Sequence, residues 1–177
     1  ALKVVNRVTP YDAEMLGIGT PWNGGEPVNT YYSGAIVRSR SFAPTVSSDF
    51  GYISIGTNDQ TNGITPAQTL LNLTTMIDKW IARGLPADHL IITTLAPAPG
   101  VGAANIPALN ASIRTLAAQK GVKLVDISSF VSANDGLTWK STTLYVPDGT
   151  DVHYSETVRD WIATQVVSLV EAATSPR

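Results

Sequence analysis

From about Tyr52 onward the chain alternates between two hydrophobic periods. Tyr52-Ile53-Ser54-Ile55 is a short apolar run closed by Gly56, the pattern of a buried strand running into a loop. Leu70, Leu73, Ile77, Trp80 and Ile81 then recur at helical spacing. Thr65-Pro66-Ala67-Gln68 marks the start of that helix with a capping hydroxyl, a proline at the first helical position and a Gln three residues past the cap, and Gly84 marks its end. Leu90 to Leu95 is a second strand run, ended by Ala96-Pro97-Ala98-Pro99-Gly100. Leu109, Ile113, Leu116 and Ala117 form a second helical stripe that stops at Gly121, ahead of a third strand from Val122 to Ile127. A last helix over about 155–173 is expected to bury Val158, Ile162, Val166 and Leu169. Such an alternation predicts an α/β fold of three α/β/α layers around a mainly parallel central sheet.

The first fifty residues are less regular. Leu2 to Val5 and Val28 to Tyr32 read as short strands, while Pro10, Pro21, Pro27 and the glycines between Gly17 and Gly25 exclude a long helix. The chain shows no internal repeat and no linker, and 177 residues suit a single domain over 1–177.

Composition narrows the function classes. Twelve Lys and Arg stand against 14 Asp and Glu, so no basic footprint for nucleic acid is present. Charged residues are only 15%, and 20 Thr and 14 Ser supply much of the polar surface, an expectation of an extracellular, secreted or virion-associated protein. The absence of cysteine excludes a disulfide framework, a Cys-ligated metal and a thiol nucleophile. With His89 and His153 the only histidines, a three-His metal site is excluded too, and no cofactor is expected. No apolar run is long enough for a membrane span and no signal-peptide pattern opens the sequence, as in a mature chain or a piece excised from one. His89, beside Asp88, reads as a surface or capping residue, and the sequons at Asn72 and Asn110 fall inside predicted helices.

In parallel sheets ligands sit beyond the carboxyl ends of the strands. Two segments expected there carry polar groups: Gly56-Thr57-Asn58-Asp59, and Asp148-Gly149-Thr150-Asp151-Val152-His153 before the last helix. Gly56-Thr57-Asn58-Asp59 resembles the G-x-N-D block of the SGNH (GDSL-type) hydrolases, and the Asp-and-His segment resembles their C-terminal D-x-x-H block. The stretch from Asn110 to Asp126 is similar to the helix-then-strand segment between those blocks, so the resemblance covers roughly residues 50–173. A flavodoxin-like or nucleotide-binding sheet is disfavoured, since neither a G-x-G-x-x-G nor a P-loop pattern occurs.

The resemblance implies an O-acyl or acetyl esterase of the Ser–His–Asp type, acting on a carbohydrate or small alcohol ester. In that chemistry a neutral imidazole takes the serine proton while fixed donors stabilise the oxyanion. By position, Asn58 becomes an oxyanion donor and His153 the general base. Asp148 and Asp151 compete to orient His153, because Thr150 stands where the family has its acid. Val28 to Gly34 resembles the family's second block and makes Gly34 the second oxyanion donor; Val5-Asn6-Arg7 is a competing match that lacks the glycine.

The family's Gly-Asp-Ser nucleophile block occurs nowhere in the 177 residues. Either it lies upstream of Ala1, in a segment or chain that supplies the serine, or this copy has lost it. Ser33, Ser39, Ser41, Ser47, Ser48 and Thr9 sit in no recognisable nucleophile turn. A different class remains open on the same ground, a non-catalytic binding or structural module of a larger extracellular or virion assembly. Trp22, Tyr31, Tyr32, Trp139 and Tyr145 are candidates to line a carbohydrate cleft.

Overall fold

A computed structural model describes residues 50–61, 63–98, 102–149 and 151–174, together with the backbone of residues 4–8. Among the described residues, four strands lie side by side in sequence order: β1 (Val4–Val8), β2 (Phe50–Ile53), β3 (Leu90–Thr93) and β4 (Lys123–Val125). Every neighbouring pair is parallel. Tyr52 pairs with Ile91 and Ile92 with Leu124, while β1 carries an irregularity between Val4 and Arg7. Parallel neighbours need long crossovers, and those from β2 to β3 and from β3 to β4 contain helices. α1 (Thr57–Thr61) and α2 (Pro66–Ala82) join β2 to β3, α3 (Ile106–Lys120) joins β3 to β4, and α4 (Ile127–Val131) and α5 (Glu156–Thr174) follow β4.

The helices divide between the two faces. Leu73, Met76, Ile77 and Trp80 of α2 pack with Ile106, Leu109, Ile113 and Leu116 of α3 against Ile53, Leu90 and Ile92. Val131 of α4 and Val158 and Val170 of α5 pack with Phe50, Ile91 and Val125 on the other side. Ile91 and Ile92 enter opposite cores because successive strand side chains alternate faces, and β3 is buried at all four positions because both faces are covered. The result is the expected three-layer α/β/α arrangement around a parallel sheet.

Local chemistry explains where the elements stop. Thr65 caps α2 by accepting from the Gln68 N–H at 3.2 Å, whereas the Gln68 side chain turns forward to Asn72 Oδ1 at 3.0 Å instead of completing a reciprocal cap. The apolar run to Leu95 is strand only to Thr93, because the backbone of Leu95 is claimed from outside the sheet. Buried Asn110 accepts from the Leu95 N–H at 2.7 Å, donates to the Leu95 carbonyl at 3.0 Å and reaches the Asp135 carbonyl at 3.2 Å. Likewise the run to Ile127 is strand only to Val125, since Asp126 turns its carboxylate to the Ser129 N–H and caps α4.

The α2 stripe is more polar than its hydrophobic spacing implies. Thr69 and Asn72 are buried in it, while Leu70 and Ile81 are only half-buried. In α5, Ile162, Val166 and Leu169 are half-buried at the core's margin. Both sequon asparagines, Asn72 and Asn110, are buried within helices. The strand expected over Leu2 to Val5 is found at Val4–Val8, and that expected over Val28 to Tyr32 lies outside the described residues.

The Asn110 amide is one side chain that satisfies three backbone groups, and a buried group left unpaired costs roughly 1–3 kcal/mol. Asn110→Leu, of similar bulk, is expected to lower stability by about 3 kcal/mol, or roughly 10 °C in Tm. Urea and thermal unfolding check this; a loss under about 1 kcal/mol would mean that those backbone groups find other partners.

Candidate active site

At the carboxyl end of β2 the chain passes through Ser54 and Ile55 to Gly56, whose φ of +122° belongs to the region where side chains are strained. A Cβ there would also meet Thr69 Cγ2 at 3.2 Å and Leu95 Cδ2 at 3.3 Å. The chain turns at once into α1, which places Asn58 half-buried in its first turn. Asp59 and Gln60 behind it are fully buried. They share a partner in Thr69 of α2, whose hydroxyl donates to Asp59 Oδ2 at 2.8 Å and accepts from Gln60 Nε2 at 3.2 Å. Neither Thr69 nor Gln60 stands out in the sequence, where the available signal is a threonine in the α2 stripe and an acid just past Asn58.

The second segment joins the two cores. Val152 packs with the core on one face and Tyr154 with the core on the other, and His153 lies between them. Tyr145 and Tyr154 form an antiparallel bridge, and the Val146 N–H donates to the His153 carbonyl at 2.9 Å, closing the loop between them. Inside that loop the Asp148 carboxylate meets His153 Nδ1. A carboxylate only accepts, so Nδ1 carries the proton and the lone pair of the neutral ring lies at Nε2. The His153 side chain is 67% exposed, which leaves Nε2 open to a reactant.

Asp151 acts through its backbone. Its φ of 53° is left-handed, a conformation Asp tolerates better than most residues. There its N–H donates to Asp148 Oδ1 at 3.2 Å and its carbonyl accepts from Trp139 Nε1 at 3.1 Å. Between the two acids left open by the sequence, Asp148 is the one whose carboxylate touches the imidazole, because two extra residues fold into a turn that brings it back.

Trp139 is itself held in place. Its ring lies 5.3 Å from Tyr145 and 6.4 Å, edge-on, from Tyr154, whose phenol burial and the neighbouring Tyr52 push well above the ordinary range. The turn before Trp139 is tied to α3 by Arg114, which pairs with Asp126 at 2.8 Å and with Asp135 at 2.8 Å. Asp135 also accepts from Ser128 Oγ at 3.0 Å, and Asp126 from Thr94 Oγ1 at 2.9 Å. Burial acts to raise the Asp126 pKa, but bonds from Arg114, Ser129 and Thr94 outweigh it and bring it down to about 2. Arg114 likewise holds Asp135 below the usual carboxylate range.

Gly34, Thr150, the serines at 33, 39, 41, 47 and 48, and Thr9 lie outside the described residues, as do Trp22, Tyr31 and Tyr32. Of the two stretches similar to the family's second block, Val5-Asn6-Arg7 is described, in β1, parallel and adjacent to β2. His89 ends a short 3-10 turn with its ring stacked on Phe50 at 4.4 Å, a packing role. Among the described residues, no helix is long and apolar enough to cross a membrane.

These features define a parallel α/β protein whose polar side chains gather beyond the carboxyl ends of its strands. The GDSL-like lipase/acylhydrolase family matches residues 13–160, and the chain belongs to that family. Its fold is similar to that of a GDSL-like lipase from Bacteroides thetaiotaomicron, with 24% identity, a TM-score of 0.59, and coverage of 72% of this chain and 64% of that one. It is also similar to a carbohydrate esterase family 3 protein from Talaromyces cellulolyticus, with 20% identity, a TM-score of 0.60 and 80% and 69% of the two chains covered. A carbohydrate acetylesterase from Sinorhizobium meliloti is a third, with 19% identity, a TM-score of 0.54 and 84% and 71% covered. The chain thus spans less than two thirds of the length of the Bacteroides protein. No curated protein matches it.

The depressed carboxylates give the site's support an acid limit. A group whose pKa falls on folding stabilises the protein above its unfolded value, and that contribution is lost as pH drops through the folded value. For Asp126 the window runs from 3.8 down to about 2, with Asp135 adding in the same direction. Tm is expected to fall across that window. Asp126→Asn should flatten the fall by about 1 kcal/mol once solvent screening of the partly exposed pair is counted. An unchanged Tm profile against pH would show that Arg114 does not hold Asp126 ionised.

Proposed function

We propose that this chain is an ester hydrolase that removes an O-acyl group, with acetyl the smallest case, from a carbohydrate or small alcohol. The Asp148–His153 pair carries the reading: an imidazole with Nδ1 held by a carboxylate and Nε2 exposed is poised as a general base. Membership of the acylhydrolase family supports it, and the two similar folds named as carbohydrate esterases favour a sugar ester.

In this scheme a serine hydroxyl attacks the ester carbonyl and its proton passes to His153 Nε2. The oxyanion accepts from the Asn58 amide, with the Gly34 N–H as the second donor by resemblance to the family. Collapse breaks the bond to the alcohol, which leaves with the proton from His153, and water repeats the sequence on the acyl enzyme. These steps use no metal or cofactor. The Thr- and Ser-rich, weakly charged composition supports an extracellular or virion setting.

The absence of Gly-Asp-Ser from the sequence favours a second reading, a binding or structural module without catalysis. Hydrolysis of p-nitrophenyl acetate separates the two. Turnover is expected, and His153→Ala should lower kcat/KM by at least ~100-fold. Asp148→Asn should lower it by about 10²-fold or more while Asp151→Asn stays within about threefold, as the tautomer argument requires. A fluorophosphonate should label one serine, identified by peptide mapping. Turnover unaffected by His153→Ala rejects the hydrolase, and absence of both turnover and label favours the non-catalytic module.

A further inference from the structure

The five residues of α1 cannot hold a helix on their own, since helix nucleation is unfavourable and short helices melt in water. What grips α1 from outside therefore contributes to the orientation of Asn58. One grip comes from α2. The Thr69 hydroxyl is buried, and its single proton goes to the Asp59 carboxylate, which cannot donate; a lone pair then receives Gln60 Nε2. Among the described residues, the other bond of that amide is a long one to the Ile64 carbonyl at 3.5 Å, and Gln60 Oε1 is buried with no partner. The Gln60 side chain thus relies on Thr69. The second grip comes from the 3-10 turn at Ala103–Asn105. The Gly102 N–H donates to the Gln60 carbonyl at 2.8 Å, and a Cβ on Gly102 would lie 2.6 Å from that same oxygen.

We infer that Thr69 and Gly102 are positioning residues for Asn58: together they fix the two residues that follow it, and so aim its amide at the developing oxyanion. Neither touches a reacting atom. The inference rests on the oxyanion role proposed for Asn58, where displacement by about 1 Å can lower a rate by roughly 10²-fold. Thr69→Val keeps the shape and removes the hydroxyl, whereas Gly102→Ala keeps the hydroxyl and pushes on the Gln60 carbonyl.

With p-nitrophenyl acetate, Thr69→Val is expected to lower kcat by about 10- to 100-fold with KM within about twofold. Thr69→Ser should restore kcat to within about threefold, and in an Asn58→Ala background Thr69→Val should add less than about twofold. If Asn58→Ala lowers kcat while Thr69→Val leaves it unchanged or lowers it additively, the positioning inference is overturned and the oxyanion reading stands. If Asn58→Ala leaves kcat unchanged, both fall. Amide hydrogen exchange over residues 57–61 reads the grip without turnover: at least about tenfold acceleration is expected in Thr69→Val and Gly102→Ala, reversed in Thr69→Ser. Unchanged exchange overturns the inference whatever the activity. Should Thr69→Val not fold, Gly102→Ala answers the same questions.

Discussion

A parallel strand that leaves its sheet must find partners for the backbone groups it takes with it, and at the end of β3 a single amide meets that obligation. Asn110 pairs with both the N–H and the carbonyl of Leu95 as a neighbouring strand would, yet it projects from a helix. Its third bond, to the Asp135 carbonyl, carries the constraint onward to the turn that precedes Trp139. From there Trp139 holds the Asp151 carbonyl, the Asp151 N–H holds Asp148, and Asp148 holds His153. A buried bond in α3 is therefore linked stepwise to an exposed imidazole. Arg114 runs parallel to this chain, joining the same helix to the same turn through Asp135 and to the end of β4 through Asp126.

The two sides of the candidate site are built differently. The Asn58 side is interior: Asp59, Gln60 and Thr69 are fully or almost fully buried, and their bonds compete with no water. The His153 side is exterior, with a ring two-thirds exposed on a loop that includes a left-handed Asp. That division suits the acyl transfer proposed for the site. An oxyanion donor must not move as charge develops, whereas a base has to hand a proton first to a leaving alcohol and later receive one from water.

Much of this layout is legible in the sequence, because period and position carry it. The strand and helix alternation gives the layers, Thr65-Pro66 and Gly121 give helix ends, and Gly56-Thr57-Asn58-Asp59 falls just beyond the carboxyl end of β2. Boundaries were missed where a side chain outcompetes the ladder, as Asn110 does at Leu95 and Asp126 does at Ser129, since periodicity registers apolar residues and not hydrogen bonds. The choice between Asp148 and Asp151 was illegible for a related reason. Alternation along an extended strand separates them only if the segment is extended, and a left-handed residue in the middle cancels that rule. Thr69 escaped because a buried threonine in an amphipathic helix looks like a tolerated imperfection until its partner is known.

The polar networks are also distributed in a way that packing alone does not require. The middle of the sheet is held by Ile53, Ile91, Ile92, Leu90 and Val125, which need fit but not direction. Much of the buried or partly buried polar pairing, among Asp59, Thr69, Thr94, Asn110, Arg114, Asp126 and Asp135, lies instead around the carboxyl edge. Apolar contacts could cover those loops with less desolvation, but they would let them slide. Hydrogen bonds are directional, and removing one partner leaves the other exposed to the full desolvation penalty, so each loop has one low-energy arrangement. A fold that concentrates directional bonds there, and spends bulk packing elsewhere, has its geometry most tightly specified at the end where the Asn58 amide emerges.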